Sequence, residues 1–269
     1  MRPAHEARAR SRRTERGGGR LNTPMGSGAW LRRYRTAGPE APRLVCFPHA
    51  GGSASFYFPV ANALSPDVDV LAVQYPGRQD RMGEQPVTDL RLLADQVTEA
   101  LAPWRDRPLH LFGHSMGAVV AYEVALRLEQ LPGPGPASLY VSGRRAPAGR
   151  GTGTVHLGDD AGLVRELRAL AGTDAALLAD DDLLSLILPA LRADYQAIET
   201  YGHRPAPRLS CPVTALLGDA DPKVTPDEAE GWRQHTDHDF DLHVFDGGHF
   251  YLTHHQPAVL ALLRERLKA

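Results

Sequence analysis

Short apolar runs alternate with amphipathic stretches along most of this chain. Runs at 43–47, 68–74, 109–112, 138–143, 211–217 and 240–245 are rich in Val, Leu and aromatic residues and flanked by Pro, Gly and Asp, which predicts β-strands. Between them apolar residues recur at three- and four-residue spacing. Leu90, Leu93, Ala94, Val97 and Leu101 share one face of a helix predicted over 88–101. Ala118, Val119, Ala121, Tyr122, Val124, Ala125 and Leu128 continue as a second helix from a turn at Ser115. Shorter helices are expected over 55–64 and 228–233, and Pro257 opens a closing helix through Leu267. This alternation predicts an α/β fold, a mostly parallel sheet with helices on both faces.

The rhythm breaks between 149 and 208, where no strand-like run occurs. Helices are expected over 160–171, 175–179 and 181–201, the last placing Leu184, Ile187, Leu188, Leu191, Tyr195 and Ile198 along one side. The reading is an inserted helical cap (149–208) on a core made of 37–148 and 209–269. Most of that stripe should pack; a cap over a site would also line a channel for an apolar chain. Gly149-Arg-Gly-Thr-Gly153 reads as a hinge, because it neither follows a strand closely nor fits a phosphate-binding fingerprint.

Composition narrows the class. A chain of 269 residues, 42% apolar and 23% charged, can build one large α/β domain. No apolar run approaches the ~20 residues that span a bilayer, so no membrane association is expected. The formal charge of -2 hides an asymmetry: residues 1–36 carry ten Arg and two acidic residues, leaving 20 basic against 30 acidic in the rest. Residues 1–36 are therefore expected to be a disordered basic extension. With no basic patch elsewhere, nucleic acid is not an expected partner, and a true start at Met25 is the simpler account. Cys46 and Cys211 sit in apolar runs without metal or disulfide spacing, which suggests buried thiols in a reducing cytoplasm.

The chemistry collects at strand ends. Gly113-His-Ser-Met-Gly117 lies between a strand and a helix, and its glycines allow a reversal so tight that a Cβ there would strike backbone. Ser115 is thereby presented above the sheet, with the Met116 amide at a helix N-terminus facing any developing anion. Strand 43–47 runs into Pro48-His-Ala-Gly-Gly-Ser53, a loop whose Ala50 amide is the natural second donor. His49 is expected to orient that loop rather than to act as a base.

After strand 211–217, Asp219 and Asp221 compete as the acid. Asp221 is preferred, since Asp-Pro after a strand suits that role and Asp219 reads as a turn residue. His249, flanked by glycines after the final strand, is the expected base; the ring of His114 should point away from the Ser115 hydroxyl. The remaining histidines show no metal-ligand spacing. Ser, acid, His is the chain order of α/β-hydrolases, in which an imidazole oriented by a carboxylate activates a hydroxyl.

Phe47-Pro-His-Ala-Gly-Gly, Tyr75-Pro-Gly-Arg, Gly113-His-Ser-Met-Gly-Ala, Gly218-Asp-Ala-Asp-Pro and Gly247-Gly-His-Phe-Tyr-Leu together resemble the blocks of the type II thioesterases. These are free-standing editing hydrolases of polyketide and nonribosomal peptide assembly lines, and the resemblance covers 41–267. It implies an α/β-hydrolase fold, Ser115 as nucleophile, His249 as base, Asp221 as acid, and the Ala50 and Met116 amides as oxyanion donors. It further implies no cofactor, a substrate carried on the phosphopantetheine arm of an acyl or peptidyl carrier protein, and removal of aberrant or stalled acyl groups by hydrolysis. Because carrier proteins and this body are both acidic, local arginines (Arg78, Arg81, Arg144, Arg145) are expected to matter for docking. An esterase or lipase, an excised cyclising thioesterase and a non-catalytic scaffold remain open on the sequence alone.

Overall fold

The computed structural model describes residues 28–147, 153–170 and 180–267. Six strands follow the apolar runs: β2 (Arg43–Phe47), β3 (Asp69–Val73), β4 (Leu109–His114), β5 (Ser138–Ser142), β6 (Val213–Gly218) and β7 (Phe240–Phe245). With β1 (Leu31–Arg32) they form one sheet in the order β1-β3-β2-β4-β5-β6-β7, parallel throughout except for β1 against β3. The order reverses between β2 and β4, so the loops leaving these two strands diverge above a crevice, where open α/β sheets place their ligands. β6 starts at Val213 rather than 211 because Pro212 has no amide hydrogen; its carbonyl instead accepts from Leu139.

β1 corrects the reading of 1–36 as disordered throughout. Leu31 is buried opposite Val73, and Arg32 stands opposite Ala72. The outer edge of β3 needs partners for its backbone groups, and this segment supplies them. Trp30 reinforces the pairing: its carbonyl accepts from the Gln74 amide, and the Arg81 guanidinium lies 4.2 Å from its ring centre. Residues 1–27 lie outside the described residues.

Alternating side chains build a core on each face of the sheet. Val45, Phe47, Val73, Leu111 and Val141 pack with α2 (Leu90–Leu101) and α3 (Met116–Gln130). Leu44, Cys46, Ala72, Phe112 and Tyr140 pack on the other side with α1 (Phe58–Leu64) and α8 (Gln256–Arg266). Both Cys46 and Cys211 are buried free thiols.

Between β5 and β6 come α4 (Asp160–Leu170) and α5 (Asp181–Thr200); α5 is capped by the Asp180 carboxylate on the Leu183 amide. The apolar stripe of α5 divides. Leu184, Leu188, Leu191 and Tyr195 pack with Leu163 and Leu167 of α4 in a separate cluster, whereas Ala197, Ile198 and Tyr201 join the main core. The helix expected at 175–179 lies outside the described residues, as does the expected hinge except for Gly153. After β6, α6 (Pro226–Glu230) opens with a capping box between Thr225 and Glu228, and α7 (Tyr251–His254) follows the loop after β7.

Candidate active site

Close packing of β2 against β4 dictates the turn that carries Ser115. A Cβ on Gly113 would lie 2.1 Å from the Gly117 carbonyl oxygen, and one on Gly117 would lie 2.1 Å from the Phe47 carbonyl oxygen. With both positions glycine, α3 starts directly above β2, and Ser115 takes up φ 56°, ψ -118°, a strained conformation for a residue with a side chain. The Ser115 amide donates to the Ser142 carbonyl at 2.8 Å, tying the strained turn to β5.

His249 and Asp221 arrive from the neighbouring strand ends. The imidazole Nδ1 lies 2.8 and 3.0 Å from the two carboxylate oxygens, and both residues are buried. That pairing makes Nδ1 the protonated nitrogen and leaves Nε2 as the acceptor. The Lys223 amide also donates to Asp221 at 2.8 Å. Asp219 acts elsewhere, since its side chain accepts from the Gly247 amide at 2.9 Å and so holds the loop that carries His249. Ser115 and His249 line the same cavity of about 290 Å³, together with Ala50 and Met116. Among the described residues the Ser115 hydroxyl makes no hydrogen bond, so the two side chains share a cavity without a direct Ser115–His249 bond.

Two further imidazoles lie beneath. His114 Nδ1 is 3.0 Å from the Ser142 hydroxyl, which is in turn 2.7 Å from the Tyr251 hydroxyl, so the ring faces β5. His49 packs edge-on against Phe56 and Phe250, and its ring occupies the space a Cβ on Gly52 would need. It supports the loop by contact. Burial, followed by the nearby His249 and Arg78, pushes His49 down to about 3; burial, followed by His249 and His49, holds His114 well below the usual imidazole range. Both are neutral at physiological pH.

The Ala50 loop is clamped from the cap, through a residue the sequence did not single out. Asp194 of α5 accepts from the Gly51 amide at 2.8 Å and pairs with Arg78 through two hydrogen bonds of 2.6 and 2.8 Å. Arg78 also donates to the Gly52 carbonyl at 3.0 Å. Both side chains are buried. The one available signal was an acidic residue beside an otherwise apolar helical stripe.

This geometry corrects the docking expectation for two of the four arginines. Arg78 is committed to Asp194, and Arg81 is buried against Glu84, Trp30 and the Gln74 carbonyl. A buried guanidinium already engaged by a carboxylate cannot present itself to a partner. Arg145 is exposed and 3.5 Å from Glu228, and Arg144 faces inward to the cavity.

A second space opens on the other side of Ala50. It measures about 430 Å³ and is lined by Leu167, Leu186, Ile187, Leu191 and Met82 among others. A narrow gap bounded by Ala50, Ser115, Tyr195 and His249 lies between the two. The serine therefore stands where a polar chamber meets an apolar one.

Residues 42–267 match the family model described as Thioesterase domain. The chain is 54% identical over 230 residues to a probable cadicidin biosynthesis thioesterase of Streptomyces griseus, an alignment spanning 86% of this chain but only 63% of that protein. It is 52% identical over 227 residues to thioesterase PikA5 of Streptomyces venezuelae, covering 84% of this chain and 81% of that one. Among solved structures, the type II thioesterase BorB from the borrelidin biosynthetic cluster superposes with a TM-score of 0.84 at 53% identity, covering 89% of this chain and 98% of that one. Among the described residues no helix is long and apolar enough to cross a membrane.

Proposed function

The chain belongs to the thioesterase family, its relatives including type II thioesterases of polyketide and nonribosomal peptide biosynthesis, and from that premise we propose that it releases aberrant or stalled acyl groups from carrier-protein phosphopantetheine arms. The observation that supports the proposal is that Ser115, Ala50, Met116 and His249 line one cavity, with His249 paired to Asp221 behind it.

In this reading the Ser115 hydroxyl attacks the thioester carbonyl while His249 Nε2 takes its proton. Asp221 fixes the tautomer and stabilises the imidazolium. The Ala50 and Met116 amides, which have no acceptor among the described residues, receive the oxyanion. The leaving thiol has a pKa near the ~8.5 of cysteine, so its expulsion demands less protonation than an amine would. His249 then activates water against the acyl-serine ester, giving the free acid. No cofactor is required. The apolar chamber under α5 suits an apolar acyl chain, and the polar one suits the arm or a charged acyl group.

Hydrolysis of acyl groups loaded on a carrier protein, compared with oxygen esters of the same acids in wild type and Ser115→Ala, tests the proposal. Release of free acid from the carrier, lost in Ser115→Ala, is the expected result. Preference for free oxygen esters would favour an esterase, and accumulation of a macrolactone would favour a cyclising enzyme.

A further inference from the structure

Among the described residues three cations line the polar chamber: Arg144, Arg145 and Lys223. Two have carboxylate partners. Arg145 lies 3.5 Å from Glu228, and Lys223 pairs with Glu166 of the cap. Arg144 has none: among the described residues its guanidinium makes no hydrogen bond or ion pair, and only its backbone carbonyl is engaged, by the Trp232 indole.

The groups around Arg144 are already committed. Glu199 accepts from the Val155 and His156 amides at 3.0 Å each and from the His156 ring at 2.6 Å. The Tyr195 hydroxyl donates to Glu166 at 3.3 Å, and the Tyr201 hydroxyl to Glu123 at 2.7 Å. Burial, then the neighbouring Arg145, brings the Arg144 pKa down to about 10, against the opposing pull of Tyr201, Glu199 and Tyr195. Arg144 directly follows Gly143 and lines the same cavity as Ser115 and His249.

Neither a neutral thioester nor its oxyanion requires that charge, since the oxyanion is met by backbone amides. A guanidinium is a planar fork matched to carboxylate or phosphate oxygens. We propose that Arg144 is an anion-binding residue of the substrate site, receiving an anionic oxygen group of the thioester substrate. The group is either the phosphate of the pantetheine arm or a carboxylate on the acyl chain. The inference rests on the thioesterase reading above and adds to it a residue that receives an anionic group of the substrate.

Binding to the Ser115→Ala protein separates the two sources, because the thioester then survives titration. The probes are butyryl phosphopantetheine, butyryl pantetheine and succinyl pantetheine, measured by calorimetry. A charge-assisted hydrogen bond predicts that one anionic probe binds about 10-fold or more tighter than butyryl pantetheine, an advantage that shrinks with added salt. Ser115→Ala/Arg144→Gln should bring that ratio close to one, with Arg144→Lys retaining part of it. A preference for the phosphorylated probe assigns the arm, and one for the succinyl probe assigns the acyl chain.

Equal binding of all three probes, or discrimination that survives Arg144→Gln in a protein with a normal thermal transition, would overturn the proposal. If Arg144→Gln does not fold, discrimination that survives in a folded Arg144→Lys at high salt overturns it equally. Failure of the thioesterase reading would show elsewhere, as absence of turnover by the wild type on every thioester.

Discussion

Substitution of Asp194 tests whether the cap holds the oxyanion loop in register. Asp194→Ala removes the acceptor of the Gly51 amide and strands Arg78, which is bound to it by two hydrogen bonds and is 7% exposed. Breaking one side of a buried ion pair costs about 3–5 kcal/mol. For a domain of this size each kcal/mol lowers Tm by about 2–4 °C, so a fall of roughly 6–20 °C is expected. The kinetic effect follows from the loop. Ala50 precedes Gly51, and loss of an oxyanion donor lowers kcat by about 10²–10³. Because the amide is displaced rather than deleted, about 10–10² is the expected loss, with KM little changed. Asp194→Asn separates the two effects: its amide oxygen can still accept from Gly51 while the charge is gone. Its Tm should fall like that of Asp194→Ala, but its kcat should fall less. The assay is steady-state hydrolysis of one carrier-bound thioester beside thermal melts of both variants. An Asp194→Ala protein that melts cooperatively and keeps kcat within about 3-fold of wild type would refute the coupling of α5 to the oxyanion loop.

Asp221→Asn should lower kcat by about 10³–10⁴ through the wrong imidazole tautomer, whereas Asp219→Asn, which retains an acceptor for Gly247, should change it less than about 10-fold; parallel kinetics check the contrast. Gly117→Ala places a Cβ 2.1 Å from the Phe47 carbonyl oxygen, a backbone clash expected to exceed about 4 kcal/mol and to appear as loss of soluble protein or a collapsed Tm. Stability should also fall in mild acid. Burial takes His110 down to about 4 and His114 well below the imidazole range, so the unfolded chain binds their protons first, below its own pKa of about 6.5. Stability from these residues is complete above that pH, and by pH 5.5 on the order of 1 kcal/mol is lost for each, readable as a falling Tm in a pH series. A flat Tm between pH 7 and 5.5 would contradict neutral burial.

What could be read from the sequence was whatever a local pattern enforces. Runs such as Leu44 to Phe47 and Leu139 to Val141 are buried on both faces of the sheet and therefore apolar at every position, and they mark strands without reference to anything distant. The elbow was legible because two glycines two residues either side of a serine are a steric requirement written in consecutive letters. Asp221 and His249 were legible for a related reason, each following a strand at a break rich in Gly or Pro. β1 was missed because two residues carry no periodicity. Its pairing is decided by the open edge of β3 and by Trp30, neither visible as a pattern within an Arg-rich segment.

The misreading of Arg78 and Arg81 has the same physical root and bears on the mechanism. An arginine in a loop rich in Pro, Gly and charge looks solvated, because its burial is decided by groups far along the chain: Asp194 for Arg78 and Trp30 for Arg81. Long-range ion pairs leave no trace in spacing, yet one of them, Arg78–Asp194, ties α5 to the loop after β2 in addition to the packing of Ala197, Ile198 and Tyr201 in the core. The Gly51 amide and the Gly52 carbonyl are both held by the Arg78–Asp194 pair, so the loop that offers the Ala50 amide is fixed by a helix of the cap and not by the sheet alone. Any movement of α5 that opens the apolar chamber must therefore either carry that loop with it or break a buried pair. In the proposed mechanism an acyl chain seated in the chamber beneath Leu191 would therefore bear on the helix whose Asp194 also holds the Ala50 loop.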